Sequence, residues 1–211
     1  MEPRTHRVRH NSRRRTLEVQ EKWHVTPRML RMVLGGEDFE DFTTPSADDH
    51  IKLYVPSKAG DLAARDFTPR HFDAEAKKLT IDIALHSAGP AIRWAEQAQA
   101  GDVVEISGPR GSLMISDDFD WWLLIGDETA LPSIGRRVEG LAAGVHAITL
   151  VAVAGVSGVN YFFGSATTIS PCRVASFKDV TELLIVVQGL ACTVGAAGGA
   201  SISAGRCGPR C

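Results

Sequence analysis

The sequence has no run of ~18 apolar residues free of charge, so it offers no membrane-spanning helix. It has no apolar N-terminal segment of the kind a secretory leader carries. Its four cysteines, Cys172, Cys192, Cys207 and Cys211, all fall late. None forms a C-x-x-C pair, which speaks against a zinc ribbon or a dithiol redox centre. A reduced, cytoplasmic setting is therefore expected. No G-x-G-x-x-G fingerprint appears, so a dinucleotide site has to be argued from other residues. The seven histidines are scattered, with no i, i+4 pair framing an acid, and no protein metal site is expected. A net charge of −2 argues against a general nucleic-acid binder. What is present suffices for a core: 44% of the 211 residues are hydrophobic, room for one large domain or two small ones.

Residues 3 to 15 hold Arg4, Arg7, Arg9, Arg13, Arg14 and Arg15 with His6 and His10, and no acid. Nucleic-acid arms and transit segments share that composition. With almost nothing apolar to bury, a disordered basic tail over 1–14 is the expectation. Polar and apolar residues then alternate from Thr16 to Val19, the period of a half-buried strand. Val25-Thr26-Pro27 breaks the pattern. Met29 to Leu34 and Ile51 to Val55 read as further strands, ended by Gly35-Gly36 and by Pro56. Lys78 to Leu85 alternates cleanly, with Leu79, Ile81, Ile83 and Leu85 on one side and Thr80, Asp82, Ala84 and His86 on the other. Val103 to Ser107 reads as a last strand, and residues 108–112 as a tight turn. Short strands separated by turn signals predict a small antiparallel barrel.

Between those strands lies Arg65-Asp66-Phe67-Thr68-Pro69-Arg70. Two arginines, a flat ring and a hydroxyl, spaced along an extended segment that Pro69 stiffens, suit a ligand with a phosphate end and a planar end. A flavin nucleotide is one such ligand. The plain alternative is an ordinary strand end with solvated arginines. Gly89-Pro90-Ala91 then opens a helix predicted over 91–98. Proline belongs at a helix start, and the free N–H groups there attract anions. The plain alternative here is a helix that only caps a barrel.

A second unit starts near Phe119. Trp121 to Gly126 is an apolar run ending in glycine, expected as a buried parallel strand. A turn over 127–132, a helix over 131–142 and a buried strand over 147–153 complete one β-α-β unit. From about residue 154 the character changes. Residues 155 to 211 hold six charged side chains, Arg173, Lys178, Asp179, Glu182, Arg206 and Arg210. Leu183 to Val187 reads as a strand. Residues 195–205 are nearly free of side chains and offer nothing to a core.

The Arg65–Arg70 stretch resembles the R-x-[YF]-[ST] flavin motif of the ferredoxin-reductase superfamily. With Pro69 and Arg70 it resembles the siderophore-interacting proteins, flavin-dependent ferric-siderophore reductases. Two further stretches match in order: Asp82 to Ala91 with Trp94-Ala95, and Gly126 to Pro132. The likeness covers roughly Arg14 to Val153. It implies an antiparallel flavin-binding β-barrel (15–116) followed by a nucleotide-binding α/β domain (117–211), the latter partial, truncated or divergent after about 154. It implies FAD as cofactor and NADPH or NADH as electron donor. The substrate would be a ferric siderophore or another ferric chelate, taken by a monomer. Arg65, Phe67, Thr68, Arg70, Asp82, His86, Gly89, Pro90, Ala91, Trp94, Thr129 and Ala130 would touch the cofactor. Thr68 would act catalytically, and Lys52 and Arg110 would line the substrate side. Phe67 replaces the more usual tyrosine, so a phenolic hydrogen bond is missing while ring packing is kept. The family would continue past 154 with more strand–helix units and a late acidic-aromatic stretch, which this sequence lacks. A truncated or frame-shifted C-terminus is the expectation, and a genuine divergent tail the alternative. The other classes left open are a reductase of an acidic protein acceptor, of ferredoxin or flavodoxin type, and a non-catalytic flavin-binding remnant.

Overall fold

The computed structural model describes residues 4–57, 60–86, 89–153, 171–177 and 180–188, the last two segments as backbone strands. Strand β1 (Thr5–Arg9) opens the chain, followed by β2 (Arg14–Thr26), β3 (Met29–Gly35) and β4 (Ile51–Pro56). Then come β5 (Leu62–Phe67), β6 (Pro69–Asp73), β7 (Lys78–Ala84), α1 (Pro90–Gln97), β8 (Val103–Ser107) and β9 (Gly111–Ile115). Seven of these strands form one antiparallel sheet in the order β5-β4-β8-β2-β3-β7-β6. Its outermost strands, β5 and β6, are consecutive in sequence, with Thr68 alone between them. The sheet must therefore curl until its two edges come within one residue of each other, a half-barrel with its seam at Thr68.

The alternation seen in the sequence explains the inside of this curl. On β2, Leu17 and Val19 point inward between exposed Thr16 and Glu18. Leu30, Met32, Leu34, Leu53, Leu79, Ile81, Ile83 and Ile106 are each at most 1% exposed and pack in one cluster. Fully burying each such side chain contributes about 1.5–3 kcal/mol before entropy is counted. Helix α1 plugs one end through Ala91, Ile92 and Ala95. It has no basic residue in its own last turn, and Lys22 of β2 serves instead, donating to the carbonyls of Ala95, Glu96 and Ala98. At another part of the cluster Phe39, Phe42 and Phe72 meet with centroids 4.7–5.3 Å apart, in tilted or edge-on contacts.

Two expectations for this half are corrected. The basic stretch is not a disordered tail from residue 4 onward. Strand β1 pairs antiparallel with β9, Thr5 facing Ile115 and Arg9 facing Gly111. The ribbon is prolonged by His10 N–H to the Arg110 carbonyl (3.1 Å) and Ser116 N–H to the Arg4 carbonyl (2.8 Å). Side-chain composition hid this, because a ladder uses the backbone. All five side chains of β1 stay exposed. The arginines behind it are held by acids. Arg13 bonds Asp41 and Asp38, Arg14 bonds Glu105, and buried Arg15 bonds Asp41 at 2.7 Å. Second, the predicted turn ends earlier than expected: Gly111 and Ser112 already belong to β9.

The second unit holds β10 (Trp121–Asp127), a 3-10 turn (Glu128–Ala130), α2 (Leu131–Gly140) and β11 (His146–Val153). Strands β10 and β11 pair in parallel from Trp121–His146 to Asp127–Ala152, with α2 as the crossover. Backbone strands β12 (Pro171–Phe177) and β13 (Val180–Gln188) extend the sheet in the order β10-β11-β13-β12. The expected strand over 183–187 thus lies within β13, antiparallel to β11. Strand β10 is parallel, as expected, yet it is half-buried on one face and exposed on the other. Leu124 and Gly126 look toward α2, while Trp121, Leu123 and Ile125 are 59%, 46% and 67% exposed. Expectations for residues 154–170 and 195–205 lie outside the described residues.

A Cβ on Gly111 would stand 2.5 Å from the Val8 carbonyl oxygen, a backbone atom that cannot swing aside. Gly111→Ala should therefore lift β1 off β9. Hydrogen exchange at the amides of residues 5–9 should rise markedly, with β3 and β7 unchanged. Unaltered protection of β1 would contradict this reading of the ribbon.

Candidate functional site

At the seam the two halves of the chain enclose a cavity of about 300 Å³. Its lining comes from five places. Arg65, Asp66, Phe67 and Thr68 supply the seam itself. Asp82, Ala84 and His86 come from β7 and the residues after it, one side of its alternation. Gly89, Ala91 and Ile92 come from the start of α1. Glu128, Thr129 and Pro132 form a wall from the second unit, and His50 closes the remaining side.

Two groups in this cavity are suited to an anion. The first is Arg65, which is exposed; among the described residues its recorded bond is to the neighbouring Ala64 carbonyl (2.8 Å). The second is the start of α1. Gly89 is its N-cap in extended conformation, Pro90 takes the first turn, and among the described residues no side chain caps the free N–H groups. An added Cβ on Gly89 meets no atom within 4 Å, so a ligand can approach the backbone. Lys22 fixes the other end of the same helix, which sets where those N–H groups aim.

The cavity floor carries a charge that is already matched. Asp82 is 3% exposed, and its two oxygens take Nε and Nη2 of Arg31, both at 2.7 Å. This forked pairing is the strong form of a carboxylate contact. Across the cavity the Asp127 side chain accepts from the Thr129 N–H (2.8 Å) and its hydroxyl (2.6 Å). Those bonds, the Thr129 hydroxyl foremost, then the backbone N–H groups and nearby His86, hold the Asp127 carboxyl below the usual carboxylate range. Asp127 thus caps the 3-10 turn that delivers Thr129 to the cavity. Glu128, 9% exposed, lies 3.5 Å from Arg28 Nε in the β2–β3 turn.

Of the residues expected here, Arg65, Phe67, Thr68, Asp82, His86, Gly89, Ala91 and Thr129 line the cavity. Six others do not. Both terminal nitrogens of Arg70 are taken by Glu139 of α2. Pro90 forms the helix turn between two lining residues, and Trp94 packs against the barrel cluster. Ala130 packs under β10, where a Cβ on Gly126 would meet its own Cβ at 2.4 Å. Lys52 is bonded to Asp66 at 2.8 Å. Arg110 is exposed at the β1–β9 ribbon. The expectation also omitted His50, Asp66, Ala84, Ile92, Glu128 and Pro132. Ala84 had a visible signal, a small residue on the same side of the alternation as Asp82 and His86. His50, placed by the curl alone, had none. Among the described residues no group of three His, Cys, Asp or Glu is arranged to hold a metal, and no helix is long and apolar enough to cross a membrane.

A curled antiparallel sheet plugged by a short helix, with a parallel β-α-β unit forming one wall of a shared cavity, defines a ferredoxin-reductase-like architecture. Residues 18–64 and 58–113 match the siderophore-interacting FAD-binding domain, and residues 119–162 match the siderophore-interacting protein model. The chain belongs to the siderophore-interacting protein family. It is 35% identical over 154 residues to an NADPH-dependent ferric-chelate reductase of Escherichia coli, covering 64% of this chain and 60% of that one. It is 29% identical over 144 residues to a ferric vibriobactin reductase of Vibrio cholerae, covering 59% and 53%. Among solved structures it resembles a siderophore utilization protein from T. fusca at 34% identity and TM-score 0.69, covering 72% and 66%. The chain spans about three-fifths of the length of the first curated relatives it matches, 60% and 57%.

The Asp127 cap yields a pH dependence with a definite sign. Its folded pKa is depressed, so its contribution is present above the unfolded value of about 3.9 and is lost as pH falls through the folded value. The stability difference between the protein and Asp127→Asn should be constant above about pH 5 and shrink toward zero below about pH 4. Acid titration of unfolding for both proteins checks this. A difference that grows on acidification would contradict the assignment.

Proposed function

We propose that this chain is a flavin-dependent oxidoreductase that takes electrons from NADPH or NADH and reduces ferric siderophores or similar ferric chelates. The observation that carries the reading is the meeting of Arg65, Phe67 and Thr68 with the uncapped start of α1 around one cavity. Two anion-binding groups around one cavity suit the bridged pyrophosphate of FAD, and a half-buried ring suits its planar end. When bound, FAD would supply the conversion of a hydride into electrons passed on one at a time.

The chain's own residues have separable tasks in this reading. Arg65 and the α1 N–H groups hold the pyrophosphate by charge-assisted hydrogen bonds. Phe67 packs against the ring system. Thr68, fixed between the two edge strands, presents a hydroxyl to the planar end. Thr129 and Glu128 bound the cavity from the second unit, the side from which a nicotinamide would approach. The ferric chelate is the substrate. Fe(II) binds hard oxygen donors more weakly than Fe(III), so reduction would release the metal. No general acid–base pair is needed for that outcome. Support for the substrate class comes from the two reductases named above and from the family matched.

FAD should be retained in preference to FMN, which chromatography of the heat-released cofactor checks. Arg65→Ala should weaken FAD binding about tenfold or more, the loss of roughly one charged hydrogen bond. Thr68→Ala should leave affinity nearly unchanged and slow flavin reduction by NADPH in stopped flow. Equal losses of affinity for both variants would contradict these roles. Turnover with a ferric catecholate but not with an acidic ferredoxin supports the chelate as substrate, and the reverse pattern would overturn it.

A further inference from the structure

We propose that Arg70, although it sits in the sequence stretch that reads as flavin-binding, is a positioning residue that fastens α2 to the barrel and so sets the width of the cavity. The inference rests on the reading of that cavity as the flavin site.

Arg70 lies next to the seam, in β6, with a side chain 10% exposed. Its guanidinium forks onto Glu139 in the last turn of α2, Nη1 to Oε2 at 2.7 Å and Nη2 to Oε1. Its Nε stands 3.8 Å from Asp82 Oδ2. Asp82 lines the cavity and is itself forked by Arg31. A chain of alternating charge, Arg31–Asp82–Arg70–Glu139, thus runs from the cavity floor to the far end of α2. The helix is shaped to receive it. A Cβ on Gly135 would lie 3.4 Å from Arg70 Nε and Nη2, so the guanidinium packs close over the helix at this glycine.

Two more contacts hold the same helix. Arg136 donates to the Thr44 hydroxyl (3.2 Å) and carbonyl (2.6 Å), and Ser133 donates to Asp48 at 2.6 Å. The opposite end of α2 is the cavity wall: Pro132 lines it, directly after Thr129 and Glu128. From Pro132 to Glu139 the helix spans about 10 Å at ~1.5 Å per residue. The helix is thus fastened to the barrel along its length, Arg70 holding the last turn and Ser133 the first, beside the second unit's wall. Ligand contact and helix anchoring make different predictions for Glu139, which is remote from the cavity lining.

The test uses the full chain with Glu139→Gln, Arg70→Met and the double variant. Three quantities are read: the FAD dissociation constant, the rate of flavin reduction at saturating NADPH, and hydrogen exchange of residues 131–140. The inference expects Glu139→Gln to keep FAD affinity within about twofold, to slow flavin reduction about tenfold and to speed exchange in α2. Arg70→Met should do the same, and the double variant should be no worse than either single one, as for two ends of one contact. Arg70→Met weakening FAD binding tenfold while Glu139→Gln changes nothing would overturn it. Additive effects on α2 exchange would also overturn it. If the protein shows no NADPH-driven reduction at all, the functional reading fails, while the exchange cycle still decides the clamp.

Discussion

The constraint on which the rest depends is the closure of a seven-stranded sheet whose two edge strands are joined by a single residue. Because only Thr68 separates β5 from β6, the sheet has to bend until those edges meet, whatever the intervening strands prefer. That bend creates an inside for Leu17, Leu30, Leu53, Leu79 and Ile106 to fill. It also fixes a polar rim at the seam, where Arg65, Phe67 and Thr68 stand together on backbone that cannot slide without breaking the ladder. A site built on such a seam is held rigidly, which is what a cofactor site requires for orientation.

Charge is distributed to serve that geometry. Most arginines near the barrel are spent on acids of the same chain: Arg13 and Arg15 on Asp41, Arg14 on Glu105, Arg31 on Asp82, Arg70 on Glu139. Arg65 donates to the neighbouring Ala64 carbonyl, and it lines the cavity. Arg65 and Arg70, five residues apart in one stretch, thus differ in surroundings: the first lines the cavity and the second is bonded to α2. The same division appears at the turn after β10, where Asp127 caps the backbone and leaves Thr129 at the cavity.

Most of the barrel strands were legible because one face of each is buried, and burial writes itself as alternation. The start of α1 was legible from proline and glycine chemistry. Strand β1 was not, since its contacts are made by main-chain groups and its side chains all face solvent. Only Gly111 on its partner carries a trace of the close approach. The length of β2 was also hidden, because past Val19 its side chains are mostly exposed and its pairing with β3 is irregular. The fold brings the expected Arg65, Phe67, Thr68, Asp82 and His86 to one cavity, together with Asp66 and Ala84, which the sequence reading left out. Arg70, expected at the same site, lies off the cavity lining, because the sequence shows the residue type and not the Glu139 that the fold brings from 69 positions away. The partner of Lys52 was hidden for the same reason, Asp66 being brought opposite it by the β4–β5 pairing.

The central claim is that the seam and the start of α1 together form the flavin-nucleotide site. Hydrogen exchange of the full chain with and without FAD tests it most directly. The account predicts that FAD slows exchange at residues 65–70 and 89–94 together, while the β1–β9 ribbon is unaffected. Slowing at neither segment, or slowing confined to the second unit with the seam unchanged, would contradict it.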